Sequence, residues 1–425
     1  MDLEHLNLKY IKHKLEHSSQ RVITTIKWII MAVILGVLLG FVGAWFHEAI
    51  SLVTEFRLSH PWVLVFLPVG ALLISACYKL LHDEHDTGTN LVLSAIHSND
   101  ELPVRMAPLI FVATTISHLV GASVGREGAA LQLGGSLGNL LGRGFKFNDK
   151  DKHIMIMCGM SAAFSSMFGT PMAATVFSME VISVGIMHYT ALVPCAIAAF
   201  IARGIAARLG AEAPFYTIVN MPSLDLRSGV LICLLAVLAG LVSILFCVIL
   251  RQTEHLYEKL FKNKYLRNFV GGLVILILTF LVGDQTYNGA GTSIIEACMA
   301  DGTTYYAFLI KIIFTALSIA AGYKGGEIVP SFFIGASFGY AFGSIIGFAP
   351  NLCAAVGMGA VFCGVTNCPI SSLLICLEMF GMEGMPFYLL AIAFSYMVSG
   401  YYGLYSSQKI VYSKYKSNYI NKKTE

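Results

Sequence analysis

The chain has 425 residues, of which 56% are hydrophobic and only 12% charged, and its mean hydropathy is +0.72. Its 28 basic and 25 acidic side chains are too few to clothe a soluble protein of this size, and a net charge of +3 offers no field for a nucleic-acid partner. Both facts point to an integral membrane protein that spans the bilayer several times and is surrounded by membrane lipid.

Residues 1–24 carry Lys9, Lys12, Lys14 and Arg21 without the short apolar run and cleavage site of a secretory signal, and are expected to form a cytoplasmic, surface-lying helix. Apolar runs near 25–50, 61–80, 228–250, 269–283, 306–322 and 385–399 are each close to the length that crosses hydrocarbon. The first half is assigned to 25–250, an interfacial connection to 251–268, a second half to 269–408 and a basic cytoplasmic tail to 409–425. Basic residues at both ends place both termini in the cytoplasm, in a plasma or inner cell membrane. The ten cysteines sit mostly in apolar stretches without a CxxC pair and read as small buried side chains.

Between the apolar runs lie polar interruptions. The first, DEHDTGTNL at 83–91, offers hydroxyl, amide and backbone donors at Thr87, Gly88, Thr89 and Asn90, suited to a partly dehydrated anion; a helix cap accounts for the same letters. Next, Glu127 stands in SHLVGASVGREGAALQLGG among glycines, inside a long apolar region. A carboxylate there is costly unless it lines an aqueous path or has a partner. Glycines expose backbone amides, and a helix beginning at this point would aim its positive end at an anion, so the carboxylate can occupy an anion's place and yield it on protonation. Pairing with Arg126 is the bland alternative.

Residues 159–181 lie over 357–379 without a gap, with Gly159, Met160, Ala162, Phe164, Pro171 and Glu180 falling on Gly357, Met358, Ala360, Phe362, Pro369 and Glu378. GREGAALQLGG at 125–135 precedes the first copy much as GGEIVPSFFIG at 325–335 precedes the second, so Glu327 is the counterpart of Glu127. Duplicated halves with broken helices are a transporter plan whose ligand binds where the repeats meet. Glu327 either serves that site or neutralises Lys324, whereas Glu180 and Glu378 read as helix-end hydrogen-bonding groups. After the last apolar run, Tyr405 in SGYYGLYSSQ can point its hydroxyl at an anion or anchor the interface, and Tyr401 and Tyr402 compete for either role. No metal-ligand set, nucleophile triad or nucleotide cradle is visible, so neither an enzyme nor a cofactor is expected.

GREG at 125–128, FGTPMAATVFSMEV at 168–181, GGEIVP at 325–330 and GLYSSQ at 403–408 together resemble the CLC family of chloride channels and proton-coupled anion exchangers, in order and over nearly the whole chain. The resemblance implies an all-α polytopic fold of two inverted halves with roughly eighteen full and partial membrane helices, and a homodimer with one pore per subunit. It makes Glu127 the external gating glutamate and Tyr405 the tyrosine that donates to the central anion site. The chain departs from the chloride members at GSGIP, here DTGTN, which leaves Thr87 and Thr89 as rival coordinators with Asn90 near the proline position. It departs also at Ala129, at GGEIVP in place of GxFxP, and at Val181, where many chloride exchangers carry an inward-side proton glutamate. These departures resemble the fluoride-exporting branch, which exchanges fluoride for protons, with Glu327 beside the pathway as a modulator of the gate. Chloride is a second candidate passenger. A passive channel and a noncatalytic membrane scaffold or sensor are the alternatives.

Overall fold

A computed structural model describes residues 3–83, 87–98, 102–218, 221–300 and 302–425, with side chains from residue 20 onward. Residues 84–86 of the polar break and the side chains of Lys9, Lys12 and Lys14 therefore lie outside the described residues. In chain order the helices are α1 (Leu3–Ser59), α2 (Leu67–Leu80), α3 (Thr89–Ser98), α4 (Met106–Val120), α5 (Glu127–Gly144), α6 (Asp149–Phe168), α7 (Pro171–Glu180) and α8 (Leu192–Arg208). They continue with α9 (Leu226–Leu260), α10 (Lys264–Val282), α11 (Thr292–Met299), α12 (Ala307–Ala320), α13 (Ile328–Ile346), α14 (Pro350–Thr366), α15 (Pro369–Phe380) and α16 (Met385–Val398).

The fold is thus helical and polytopic, but the described residues hold sixteen α-helices and two short 3-10 segments, not clearly the eighteen membrane helices expected. Part of the reason is continuity. No proline interrupts residues 3–59, so the expected surface helix and the first span form one rod; likewise the 251–268 stretch is divided between the last turns of α9 and the start of α10. Among the described residues, six helices are long and apolar enough to cross a membrane: Gln20–Ser59, Pro61–Leu80, Tyr189–Arg208, Leu226–Leu260, Lys264–Val282 and Ile328–Ile346. The apolar runs at 306–322 and 385–399 become α12 and α16, of 14 residues each. At 1.5 Å per residue each rises only about 21 Å, short of the roughly 30 Å hydrocarbon core.

Repeat-related helix pairs pack by the same device. A Cβ on Gly134 of α5 would lie 2.2 Å from the Gly159 carbonyl oxygen of α6, and one on Gly335 of α13 would lie 2.5 Å from that of Gly357 in α14. Only glycine permits so close an approach of two backbones, the small-residue packing of helices in lipid. Phenylalanines fill the centre, Phe332 lying 5.2 Å from Phe168 and 4.9 Å from Phe362 between ring centroids.

The ends of α7 and α15 show the relation between the halves. Glu180, at the end of α7, accepts hydrogen bonds from Ile370 N at 3.1 Å and Ser371 N at 2.8 Å, in the first turn of α15. Glu378, near the end of α15, accepts from Met172 N and Ala173 N, both at 2.9 Å, in the first turn of α7. Each helix starts where the other finishes, so the two run antiparallel, as inverted repeats require. The helix-end reading of both glutamates is what the structure contains.

A small sheet closes the end of the chain: β1 (Ser183–Val184) pairs parallel with β2 (Lys409–Tyr412), which pairs antiparallel with β3 (Tyr419–Lys423). The 409–425 tail is therefore a hairpin docked on the helices. Burial pushes the ammonium of Lys414, between the two strands, down to about 8.

Candidate functional site

The loops before α5 and α13 meet at the centre. Gly125 N donates to Gly326 O at 2.6 Å and Gly326 N to Gly125 O at 2.8 Å, an antiparallel bridge joining GREG to GGEI. A Cβ on Gly326 would lie 2.5 Å from Gly128 N, so no larger residue fits the bridge as it stands. Glu127 is the first residue of α5 and Glu327 the residue preceding α13, which puts both carboxylates at helix amino ends on one junction.

Two cavities approach this junction. The larger, about 580 Å³, is lined by Thr87, Gly88, Thr89, Asn90, Glu327 and Tyr405, with Arg251, Glu254, His255, Lys264, Arg267 and Lys324 around it. The smaller, about 220 Å³, is lined by Arg126 and Glu127 together with Glu212, Tyr216, Glu296 and Phe332. The first takes Lys264 and Arg267 from the start of α10, the second Thr292 and Ile295 from α11, beyond the end of α10 at Val282. The two are therefore lined from different elements, one at the start of α10 and the other from α11.

Glu127 is 1% exposed. Its Oε2 accepts from Arg126 N at 3.0 Å and its Oε1 lies 3.4 Å from Arg126 Nε, so the pairing weighed as the bland reading is present, beside a cavity. Thr89 is buried against the start of α5, its Oγ1 3.4 Å from Gly128 O, whereas Thr87 is exposed at the cavity edge. Asn90 Oδ1 accepts from Ser407 N at 3.0 Å, which leaves the amide NH2 to face elsewhere. Tyr405 is 2% exposed, and among the described residues its hydroxyl has no hydrogen-bond partner. Its backbone is pinned instead: Thr424 Oγ1 donates to Tyr405 O at 2.6 Å, and Leu404 N to Val365 O at 2.8 Å. Of its competitors, Tyr401 pairs its hydroxyl with Ser413 Oγ at 2.7 Å, and neither it nor Tyr402 lines the cavity.

Gln132 was not anticipated. It lines the larger cavity from α5, its Nε2 lies 3.4 Å from Thr89 Oγ1, and its buried Oε1 has no partner among the described residues. The only signal was a polar amide inside the apolar ALQLGG run. Val181 is fully buried and its carbonyl accepts from Gln408 Nε2 at 2.8 Å, so that position contributes no titratable group.

The sequence profile of the family described as voltage gated chloride channel matches residues 69–400. The chain is 34% identical over 396 residues to the chloride/fluoride channel protein of Pseudomonas syringae pv. tomato, covering 92% of this chain and 88% of that one. A CLC-type fluoride/proton antiporter of known crystal structure superposes with a TM-score of 0.88 at 30% identity, over 90% of this chain and 98% of the other. A slow cyanobacterial chloride/proton antiporter superposes with a TM-score of 0.74 at 19% identity, a likeness of fold alone.

Proposed function

The chain belongs to the voltage gated chloride channel family, and from that premise we propose that it is a fluoride/proton antiporter that exports fluoride through a glutamate-gated pathway. The observation that carries this reading is the division of the two cavities: Glu127 lines one, while Glu327, Tyr405 and the 87–90 segment line the other. A gate belongs at such a division. The CLC-type fluoride/proton antiporter, which this fold resembles over 90% of its length, supplies the ion pair.

In this mechanism fluoride enters the larger cavity and exchanges water for donors. Fluoride is small, so its desolvation is severe unless close donors replace the shell. The Tyr405 hydroxyl and the Asn90 amide hydrogens, which have no partner among the described residues, and the backbone N–H of Thr89 are those donors. Ionised Glu127 competes for the same positive helix end and is held by Arg126. Protonation removes the charge that Arg126 and the α5 amides hold, the carboxyl yields to fluoride, and the proton travels opposite to the anion. Glu327, across the glycine bridge, biases that movement by its charge. Each subunit of a homodimer carries its own pathway; a protein mass in detergent twice that of the 46.1 kDa chain checks the pairing.

The test is flux in liposomes. A fluoride gradient should drive protons uphill through the wild type and not through E127Q. Chloride flux without preference for fluoride would sink the choice of passenger. Fluoride flux with no proton movement would instead favour a passive channel, like the chloride/fluoride channel protein of Pseudomonas.

A further inference from the structure

We infer that Glu254 is the carboxylate that carries protons between Glu327 and the open mouth of the larger cavity. This deepens the antiport reading and rests on it. It gives Glu327, used so far only for its charge, a second part: placed across the glycine bridge from Glu127, it takes the proton that the gate releases, that proton must still reach water, and among the described residues lining this cavity the only carboxylates are Glu254 and Glu327. Glu254 sits near the end of α9, half-buried, in the same cavity wall as Glu327, and the two charges are close enough to interact. No hydrogen bond or ion pair among the described residues engages its carboxylate, whereas Glu258, one turn on, lies 3.7 Å from Arg267 Nη1. A carboxylate that is to take up and release a proton each cycle needs that freedom.

The surroundings are mixed: Arg251, His255, Glu258 and Arg267 interact with Glu254, and Lys264 and Lys324 line the same cavity. An acidic residue in this basic ring is counterproductive for gathering anions, so its placement calls for another task. A cavity of about 580 Å³ with polar walls holds water enough to bridge two carboxylates. The step is a balanced relay. A proton leaves the Glu327 carboxyl and, through water, forms an O–H bond on ionised Glu254, which restores the Glu327 carboxylate. Glu254 then loses it to water at the mouth and is ionised again.

The electrostatic and relay roles predict opposite signs. Removing a negative charge from a fluoride vestibule should speed fluoride entry; removing a proton carrier should slow coupled exchange. Fluoride and proton fluxes through purified wild type, E254Q, E254D and E258Q in liposomes separate them, with fluoride affinity measured by titration calorimetry. E254Q is expected to slow exchange roughly tenfold or more with fluoride affinity no weaker than wild type, E254D to restore it, and E258Q to behave as wild type. Exchange by E254Q within twofold of wild type overturns the inference, as does a parallel loss of fluoride binding, which marks a structural role. A wild type that moves no protons sinks the antiport reading itself.

Discussion

Tyr405 presents on the wall of the larger cavity a buried hydroxyl with no protein partner among the described residues, so Y405F takes a donor from the anion without breaking a hydrogen bond within the protein. That gives Y405F a two-signed outcome. A hydrogen bond to a charged acceptor contributes about 1.5–3 kcal/mol, so fluoride should bind roughly tenfold more weakly or worse, while the empty protein melts no lower than wild type. Titration calorimetry and a thermal scan measure both, and fluoride affinity within twofold of wild type would remove Tyr405 from the anion site. Glu127 and Glu327 stood out as candidates in the sequence because each puts a charge where apolar neighbours make it expensive, whereas Tyr405 was set above Tyr401 and Tyr402 only through the GLYS pattern of the family resemblance. Gln132 did not stand out, because an amide in a helix acquires meaning only from the face it occupies, and that is known only once α5 starts at Glu127 and packs beside Thr89. The sequence also left Thr87 and Thr89 as equals, whereas the structure sets Thr89 against α5 and Thr87 at the edge.

The crossed caps of α7 and α15 work at the scale of elements. Each carboxylate takes two amide hydrogens that the first turn of a helix cannot otherwise satisfy, with its charge at the positive end of the dipole. E378Q should cost about 1–2 kcal/mol, seen as a lower melting temperature in detergent. E180Q should cost more, because Glu180 also accepts from the Ser371 hydroxyl; equal costs would count against this account. The matched prolines and glutamates revealed this pair early because both residues mark helix ends. Helix length was less legible: an apolar run such as 306–322 does not say where packing will stop the helix, and α12 ends after 14 residues. The tail hairpin was not foreseen at all. Lys414 there donates to Tyr396 O at 3.0 Å and Ser399 Oγ at 3.1 Å. Its ammonium titrates at about 8, below its ordinary 10.5, so between those values the unfolded chain holds a proton that the folded one has released. Stability should therefore rise from pH 8 toward 10. K414M should flatten that slope in thermal scans, and an unchanged slope would assign it to other groups.

On the scale of the whole molecule, charge is distributed unevenly between the two cavities. Among the described residues, the larger is lined by Arg251, Lys264, Arg267 and Lys324 together with Glu254 and Glu327, and the smaller by Arg126 together with Glu127, Glu212 and Glu296. Walls of low dielectric focus such a field, so the first mouth concentrates anions and the second, net acidic, favours cations such as protons. This asymmetry matches an exchanger that takes fluoride from one side and protons from the other. Four basic residues drawn from α9, α10 and the loop before α13 combine only in the folded chain, so no single segment displayed it. The consequence is a salt dependence that differs between faces. With Lys264 and Lys324 both changed to glutamine, the apparent KM for fluoride presented to the larger cavity should rise about threefold at 10 mM ionic strength and by much less at 0.5 M, where the Debye length falls to about 4 Å. Fluoride presented to the other face should show no such change. A rise that is equal at both salt concentrations would mean that the two lysines touch the anion or hold the backbone, and that long-range attraction is not their part in transport.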